Sequence, residues 1–217
     1  ELYKKDLKIL ITAGPTREPI DPVRYLTNRS SGKMGYAIAE SAINHNHEVI
    51  LVSGPVSLEP PQNCRIIKVE TAAQMYDEVS SNSNNCDAVI MVAAVADYTP
   101  DVYHDEKIKK SDNAEIKLIR TKDILGSMRN GFGFEGILVG FAADTNELRE
   151  NAISKMTQKG CNFIVANDVS RNDIGFGSDQ NEVTIFDQQG RQEQIHKSSK
   201  SLIAKAIIEK IETLYKE

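Results

Sequence analysis

Residues 11–39 read ITAGPTREPIDPVRYLTNRSSGKMGYAIA, and the order of events within them decides the fold. The apolar run Ile9–Ile11 enters a long loop of Gly, Pro, Thr, Arg, Asn and Ser. That loop gives way to helical spacing at Met34, Ile38 and Ala42. A strand that ends in a polar, glycine-containing loop at a helix start is where α/β proteins hold phosphates. The loop carries Arg17, Arg24, Arg29 and Lys33 with Asn28, Ser30 and Ser31, far more anion-binding chemistry than a plain connection needs.

On either side of this stretch, apolar runs alternate with amphipathic segments. Strands are expected at 7–13, 48–53, 65–69, 88–93, 137–141 and 163–166. Helices are expected at 33–44, 72–82, 121–129 and 146–159. Fully apolar strands separated by helices predict a Rossmann-like α/β fold, a mostly parallel sheet covered on both faces. Two segments break the rhythm. Residues 98–120 are charged, contain Pro100 and show little period until 115–120, a candidate strand; they read as a flap projecting from the sheet edge. In the tail, 183–186 and 192–196 read as a hairpin around Gln188-Gln189-Gly190, followed by an amphipathic helix over 199–215. No repeat or boundary divides the chain, so 1–217 is read as one domain.

The chain has 26 basic and 31 acidic residues, a formal charge of −5. That balance argues against a nucleic-acid surface. No apolar run approaches membrane-spanning length and no signal-peptide pattern opens the chain. Cys64, Cys86 and Cys161 are far apart and odd in number, without metal spacing. They fit buried, reduced thiols of a cytoplasmic protein.

Each candidate site has a plain alternative. Ser30 or Ser31 is placed to cap the helix, and Gly32 to let backbone approach a ligand, with free N–H groups beyond. A capped helix and nothing more is the alternative. The string is not a P-loop: Thr27 and Met34 stand where Gly and Ser or Thr are required, and G-x-G-x-x-G is also missing. Asn28 can donate to a carboxylate or a developing oxyanion without adding negative charge, and Arg24 can hold an anion with two bonds; taken singly, both also fit a turn. Ala93-Ala94-Val95-Ala96-Asp97 ends a strand with small residues. These leave room for a flat ring and place Asp97 near a sugar hydroxyl, or simply pack against a helix. Lys107-Ile108-Lys109-Lys110 could neutralise a polyphosphate from a mobile flap, or be a solvated charge run. Tyr103-x-x-x-Lys107 matches dehydrogenase spacing but lacks the cofactor loop. Phe141 could stack on a base, and Lys155 and Lys159, one turn apart, could reach a phosphate tail.

Together the blocks ITAGPTREPIDPVRYLTNRSSGKMG (11–35), LVSGPVSL (51–58), AAVADY (93–98), EKIKK (106–110), VGFAADT (139–145), ANDV (166–169) and FGSDQNEVTIF (176–186) resemble 4'-phosphopantothenate–cysteine ligase, over nearly the whole chain. The resemblance implies that CTP activates the carboxylate of 4'-phosphopantothenate as an acyl-cytidylate with release of pyrophosphate. The amine of L-cysteine then displaces CMP, a step of coenzyme A biosynthesis. It implies Mg²⁺ with the nucleotide, a homodimer with sites near its interface, and the bacterial CTP-using type. Because only a few residues precede Leu7, the stand-alone synthetase is expected, without the flavin of the decarboxylase to which relatives are fused. By the same resemblance Lys107 serves the acyl-nucleotide step, and Asn28 with Arg24 the intermediate. Ala93, Ala94, Asp97, Lys107, Lys122, Asp123, Ile124, Leu125, Phe141, Lys155 and Lys159 bind nucleotide. Gly14, Ser30, Ser31, Gly32 and Lys33 bind phosphopantothenate. No metal ligand is assigned. The chain departs from the family in a shorter flap and in Ala-Ala-Asp-Thr at 142–145. The rival readings are a nicotinamide-dependent reductase and a non-catalytic nucleotide sensor.

Overall fold

A computed structural model describes residues 6–110, 115–144, 147–168 and 178–216, with backbone alone at 144 and 168. In chain order the elements are β1 (Lys8–Ala13), β2 (Arg17–Pro19), β3 (Tyr25–Thr27), α1 (Lys33–Asn44), β4 (Glu48–Ser53), β5 (Arg65–Lys68), α2 (Ala72–Ser83), β6 (Ala88–Met91), β7 (Tyr98–Pro100), β8 (Leu118–Arg120), α3 (Ile124–Ser127), β9 (Ile137–Asp144), α4 (Leu148–Lys159), β10 (Phe163–Asp168), β11 (Gln180–Asp187), β12 (Gln192–Ser199) and α5 (Lys200–Leu214). Among the described residues one main sheet has the order β12-β11-β10-β9-β6-β1-β4-β5. β5, β4, β1, β6, β9 and β10 are parallel, and the β11–β12 hairpin adds antiparallel strands at one edge.

β1 shows why both faces must be covered. Ile9 and Ile11 point to one face, Leu10 to the other, and all are fully buried. Ile9 and Ile11 pack with Ile38 and Ala42 of α1 and with α5; Leu10 packs with α2, α3 and α4. In α5, Ile203, Ile207, Ile208 and Ile211 are all completely buried. At about 2 kcal/mol for each buried side chain, packing outweighs intrinsic propensity in holding that helix.

Several expectations change in the structure. The strand expected through Ala93 ends at Met91, because the Thr12 hydroxyl accepts the amides of Val92 and Ala93 at 3.1 and 3.2 Å and takes the place of a strand partner. The helix expected over 121–129 shrinks to α3. Thr121 is held outside it, its amide on Asp97 O and its hydroxyl on Ala96 O, and Asp123 caps the start through Gly126 N at 2.8 Å. Neither Ser30 nor Ser31 caps α1. The cap is Gly32, at φ 78°, and Ser30 Oγ instead accepts the Gly32 amide at 3.4 Å. A side chain at Gly32 would meet Val56 Cγ1 at 2.7 Å, and one at Gly14, φ 75°, would meet the same methyl at 2.8 Å.

The flap does not leave a sheet edge. It rises from β6, in the middle of the sheet, and returns through β8 paired with β7. Its 101–110 limb lies against the β2–β3 hairpin: His104 N donates to Ile20 O at 3.1 Å, and Ile108 N to the Asp21 carboxylate at 3.1 Å. The expected helix start at Asn146, and Thr145, Val169, Phe176, Gly177 and residues 111–114 of the quoted blocks and flap, lie outside the described residues. No helix among those described is long and apolar enough to cross a membrane.

Candidate functional site

The order of the sheet predicts where a ligand goes. Successive strands leave β1 in one direction through β4 and β5, and the chain then returns to its other side at β6. Such a switch point opens a crevice at the carboxyl ends of the strands. There the structure has a cleft of about 940 Å³. Its described lining carries five lysines and two arginines against Asp97 and Asp123 as its acids. A chain of net charge −5 thus concentrates positive charge in one hollow, which suits an anionic ligand.

One wall is the loop after β1 and the start of α1: Gly14, Asn28, Ser30, Ser31, Gly32 and Lys33. The floor is the segment after β6, with Ala93, Ala94 and Asp97. Loop and floor are laced together. Ala94 N donates to Gly14 O at 2.9 Å, Ala96 N to the Thr16 hydroxyl at 3.0 Å, and Asn28 Nδ2 to Ala94 O at 2.8 Å. An amide nitrogen carries two hydrogens, so this bond fixes Asn28 at the cleft with a second donor to offer.

The opposite wall is Lys122, Asp123, Ile124, Leu125, Phe141, Lys155 and Lys159. Lys155 Nζ donates to Phe141 O at 2.8 Å, and burial pushes its pKa below the usual lysine value. Lys159 is ion-paired with Asp123. Burial raises the Asp123 carboxyl, but the Lys159 ammonium and the Gly126 amide outweigh it and hold the group below the usual carboxylate range. Lys122 turns aside, its ammonium 4.6 Å above the Tyr76 ring.

Two expected site residues stand apart from this lining. Arg24 is engaged with the buried Asp21 carboxylate and donates to Ile108 O at 3.1 Å, so it ties the flap to the β2–β3 hairpin. That guanidinium, ahead of a burial effect of opposite sign, holds Asp21 far below the usual carboxylate range. Lys107 is exposed on the flap and does not line the cleft. Among the described residues, one group has metal-ligand character: His45, His47 and Glu212. It lies at the amino end of the strands, away from the cleft. Leu7 N donates to His47 Nδ1 at 3.2 Å, so the ring proton sits on Nε2 and is given to Glu212 at 3.0 Å. A metal on that nitrogen would require Nδ1 to be the donor. The group therefore serves as a hydrogen-bonded clamp between α5 and the sheet.

Residues 4–215 match the family described as the DNA/pantothenate metabolism flavoprotein C-terminal domain. The chain belongs to that family. It is 46% identical over 211 residues to the coenzyme A biosynthesis bifunctional protein CoaBC of Bacillus subtilis (strain 168), covering 96% of this chain and 52% of the relative. The chain thus spans about half the length of the curated relatives it matches. The crystal structure of the C-terminal domain of a CoaBC superposes with a TM-score of 0.84 at 43% identity, covering 97% of this chain and 96% of that one. A DNA/pantothenate metabolism flavoprotein from Streptococcus pneumoniae gives 0.83 at 25% identity, over 96% and 99% of the two chains. The family is the one the seven sequence blocks resemble, and the mostly parallel sheet is shared with its solved members.

For this family member, the cleft residues that sequence reasoning missed include Arg120, Asn181 and Lys200. Lys200 looked like the solvent side of an amphipathic helix. The signal that could have found it was its place at a helix start beside a serine, the pattern already read at Ser31-Gly32-Lys33.

Proposed function

We propose that the protein is a ligase that joins 4'-phosphopantothenate to L-cysteine at the expense of CTP, in the cytoplasm and in coenzyme A biosynthesis. The observation that carries this reading is the cleft itself: cationic groups enter it from two walls, with the neutral donor Asn28 and the small floor residues between them. In the first step a carboxylate oxygen attacks the α-phosphorus of CTP and the bond to pyrophosphate breaks. In the second the cysteine amine attacks the acyl carbon, CMP leaves with its oxygen, and the amine loses a proton. The first step needs charge neutralisation on phosphorus, the task of Lys155 and Lys159 with the flap Lys107. The second needs a donor for a tetrahedral oxyanion, the task of Asn28. Mg²⁺ would arrive with CTP. The cleft's two carboxylates, one already paired with Lys159, fit a cation held chiefly by the phosphates. Incubation with phosphopantothenate, CTP and Mg²⁺, with and without cysteine, followed by mass spectrometry, tests the reading. The acyl-cytidylate and the amide are expected respectively; neither product from folded protein would end it.

Asn28→Asp is expected to slow amide formation more than activation. The carboxylate cannot donate to Ala94 O, and it adds negative charge where an oxyanion develops. Rapid-quench measurement of both half-reactions checks this, and equal losses would remove the oxyanion role.

The reading includes a homodimer. Val23, Tyr25, Tyr98, Val102, Leu118 and Ile119 are exposed large apolar side chains, and all lie on the β2–β3 hairpin or in the flap. Clustering of this kind marks an association surface. A second copy seated there would let Lys107 of one subunit serve the cleft of the other. Leu118→Asp is expected to convert dimer to monomer in sedimentation velocity and to lower turnover at least tenfold. A dimer of unchanged stability would exclude this surface.

A further inference from the structure

Across the cleft from Lys155 and Lys159, two helices open with lysine. α1 starts at Lys33 and α5 at Lys200, and both residues line the cleft. They meet at Asp179: Lys33 Nζ donates to its carboxylate at 2.7 Å, and the Lys200 backbone amide donates to its carbonyl at 3.1 Å. Lys200 is only 8% exposed, and its ammonium donates to Ser178 O. Burial pushes its pKa below the usual lysine value, and Lys33 pushes the same way. The positive end of the α5 dipole also opposes a cation there.

Asn181 is a second and independent observation. It is 5% exposed and lines the same end of the cleft. Its Oδ1 accepts Glu182 N at 2.9 Å, while its amide nitrogen has no partner among the described residues. Asn167, at the carboxyl end of β10, also lines the cleft and has no side-chain hydrogen bond among those residues. The Asn181 amide thus keeps hydrogen-bonding capacity for an acceptor bound in the cleft. Two ammonium groups, two helix starts and a waiting amide donor around one hollow suit a phosphate group.

We propose that Lys200 and Asn181 complete a phosphate subsite at this end of the cleft, with Lys33 as its more exposed member. The inference rests on the ligase reading, in which both the nucleotide and the acid bring phosphate. The Asp179 carboxylate is largely exposed, so a phosphate can take over Lys33 at small cost.

Calorimetric titration with pyrophosphate and, separately, with phosphopantothenate tests the subsite in wild type, Lys200→Met and Asn181→Asp. Lys200→Met is expected to weaken at least one probe by about tenfold or more while the protein stays folded by circular dichroism. Asn181→Asp, which keeps the oxygen that accepts Glu182 N, is expected to weaken the same probe. A loss confined to pyrophosphate assigns the subsite to the nucleotide, and one confined to phosphopantothenate assigns it to the acid. Affinities within twofold of wild type for both probes in either variant, or no binding of either probe by wild type, overturn the proposal. Turnover by wild type with unaltered variant affinities sinks the subsite alone. Probe binding that depends on Lys200 and Asn181, without turnover by wild type, sinks the ligase reading and leaves the subsite standing.

Discussion

Lys107→Gln should leave the fold intact and reduce CTP-dependent pyrophosphate release by roughly 10³-fold, the scale seen when a cation that neutralises transferring phosphorus is removed. The fold should survive because Lys107 is exposed and makes no hydrogen bond or ion pair among the described residues. Glutamine retains length and polarity and loses only the charge. The effect should fall on activation and spare the second half-reaction, which begins from acyl-cytidylate already formed. Because Lys107 lies outside the cleft of its own protomer, a mixed preparation adds a further reading. Inactive Lys107→Gln subunits re-associated with Asn28→Asp subunits should regain part of the wild-type rate if the lysine serves the neighbouring subunit. They should regain none if it serves its own. Pyrophosphate release within a few-fold of wild type in the pure Lys107→Gln protein would remove this residue from the mechanism.

Arg129→Ala should damage stability severely. The guanidinium donates to Gly160 O at 3.0 Å, Phe134 O at 2.8 Å, Gly136 O at 2.9 Å and Asn162 Oδ1 at 2.9 Å, and lies 5.5 Å from the centre of the Phe134 ring. It joins the segment after α3, the approach to β9 and the end of α4. Burial pushes the arginine pKa down. Truncation strands several acceptors at once, a loss of about 4 kcal/mol. For a domain of this size that corresponds to roughly 8–16 °C in melting temperature. Lys at the same position should recover little, since a single ammonium cannot reach a fork of acceptors. Differential scanning calorimetry decides it, and a drop below about 3 °C would mean that water replaces the arginine.

The parallel sheet was legible because its strands are apolar on both faces, as at 48–53 and 88–91, a pattern few other structures produce. The β2–β3 hairpin and β7 were not, although 115–120 read as a candidate strand and β8 lies at its end. Each strand has three residues, Pro19 and Pro100 interrupt the pattern, and pairing there is set by tertiary docking. The cleft lining was largely legible, since loops that follow parallel strands converge at one end of a sheet. Gly14, Asn28, the 30–33 loop, Asp97 and Lys155 all meet there. Arg24 and Lys107 show the limit of that reasoning. Both have chemistry suited to an anion, but nearness in sequence to a binding loop did not reveal that Asp21 draws the arginine away. Asn181 and Lys200 show the converse: polar residues on an edge hairpin and a helix start look solvent-facing until the edge folds over the cleft.

The Val56 methyl that abuts both Gly14 and Gly32 has a bearing on how this protein can diverge. Three positions far apart along the chain share one pocket of space, so their substitutions are not independent. Position 56 is free to shrink, but neither glycine readily grows in return, because their left-handed backbone strains other residue types even where room appears. Drift around this wall of the cleft therefore runs chiefly in one direction, toward looser packing, and only position 56 can readily tighten it again.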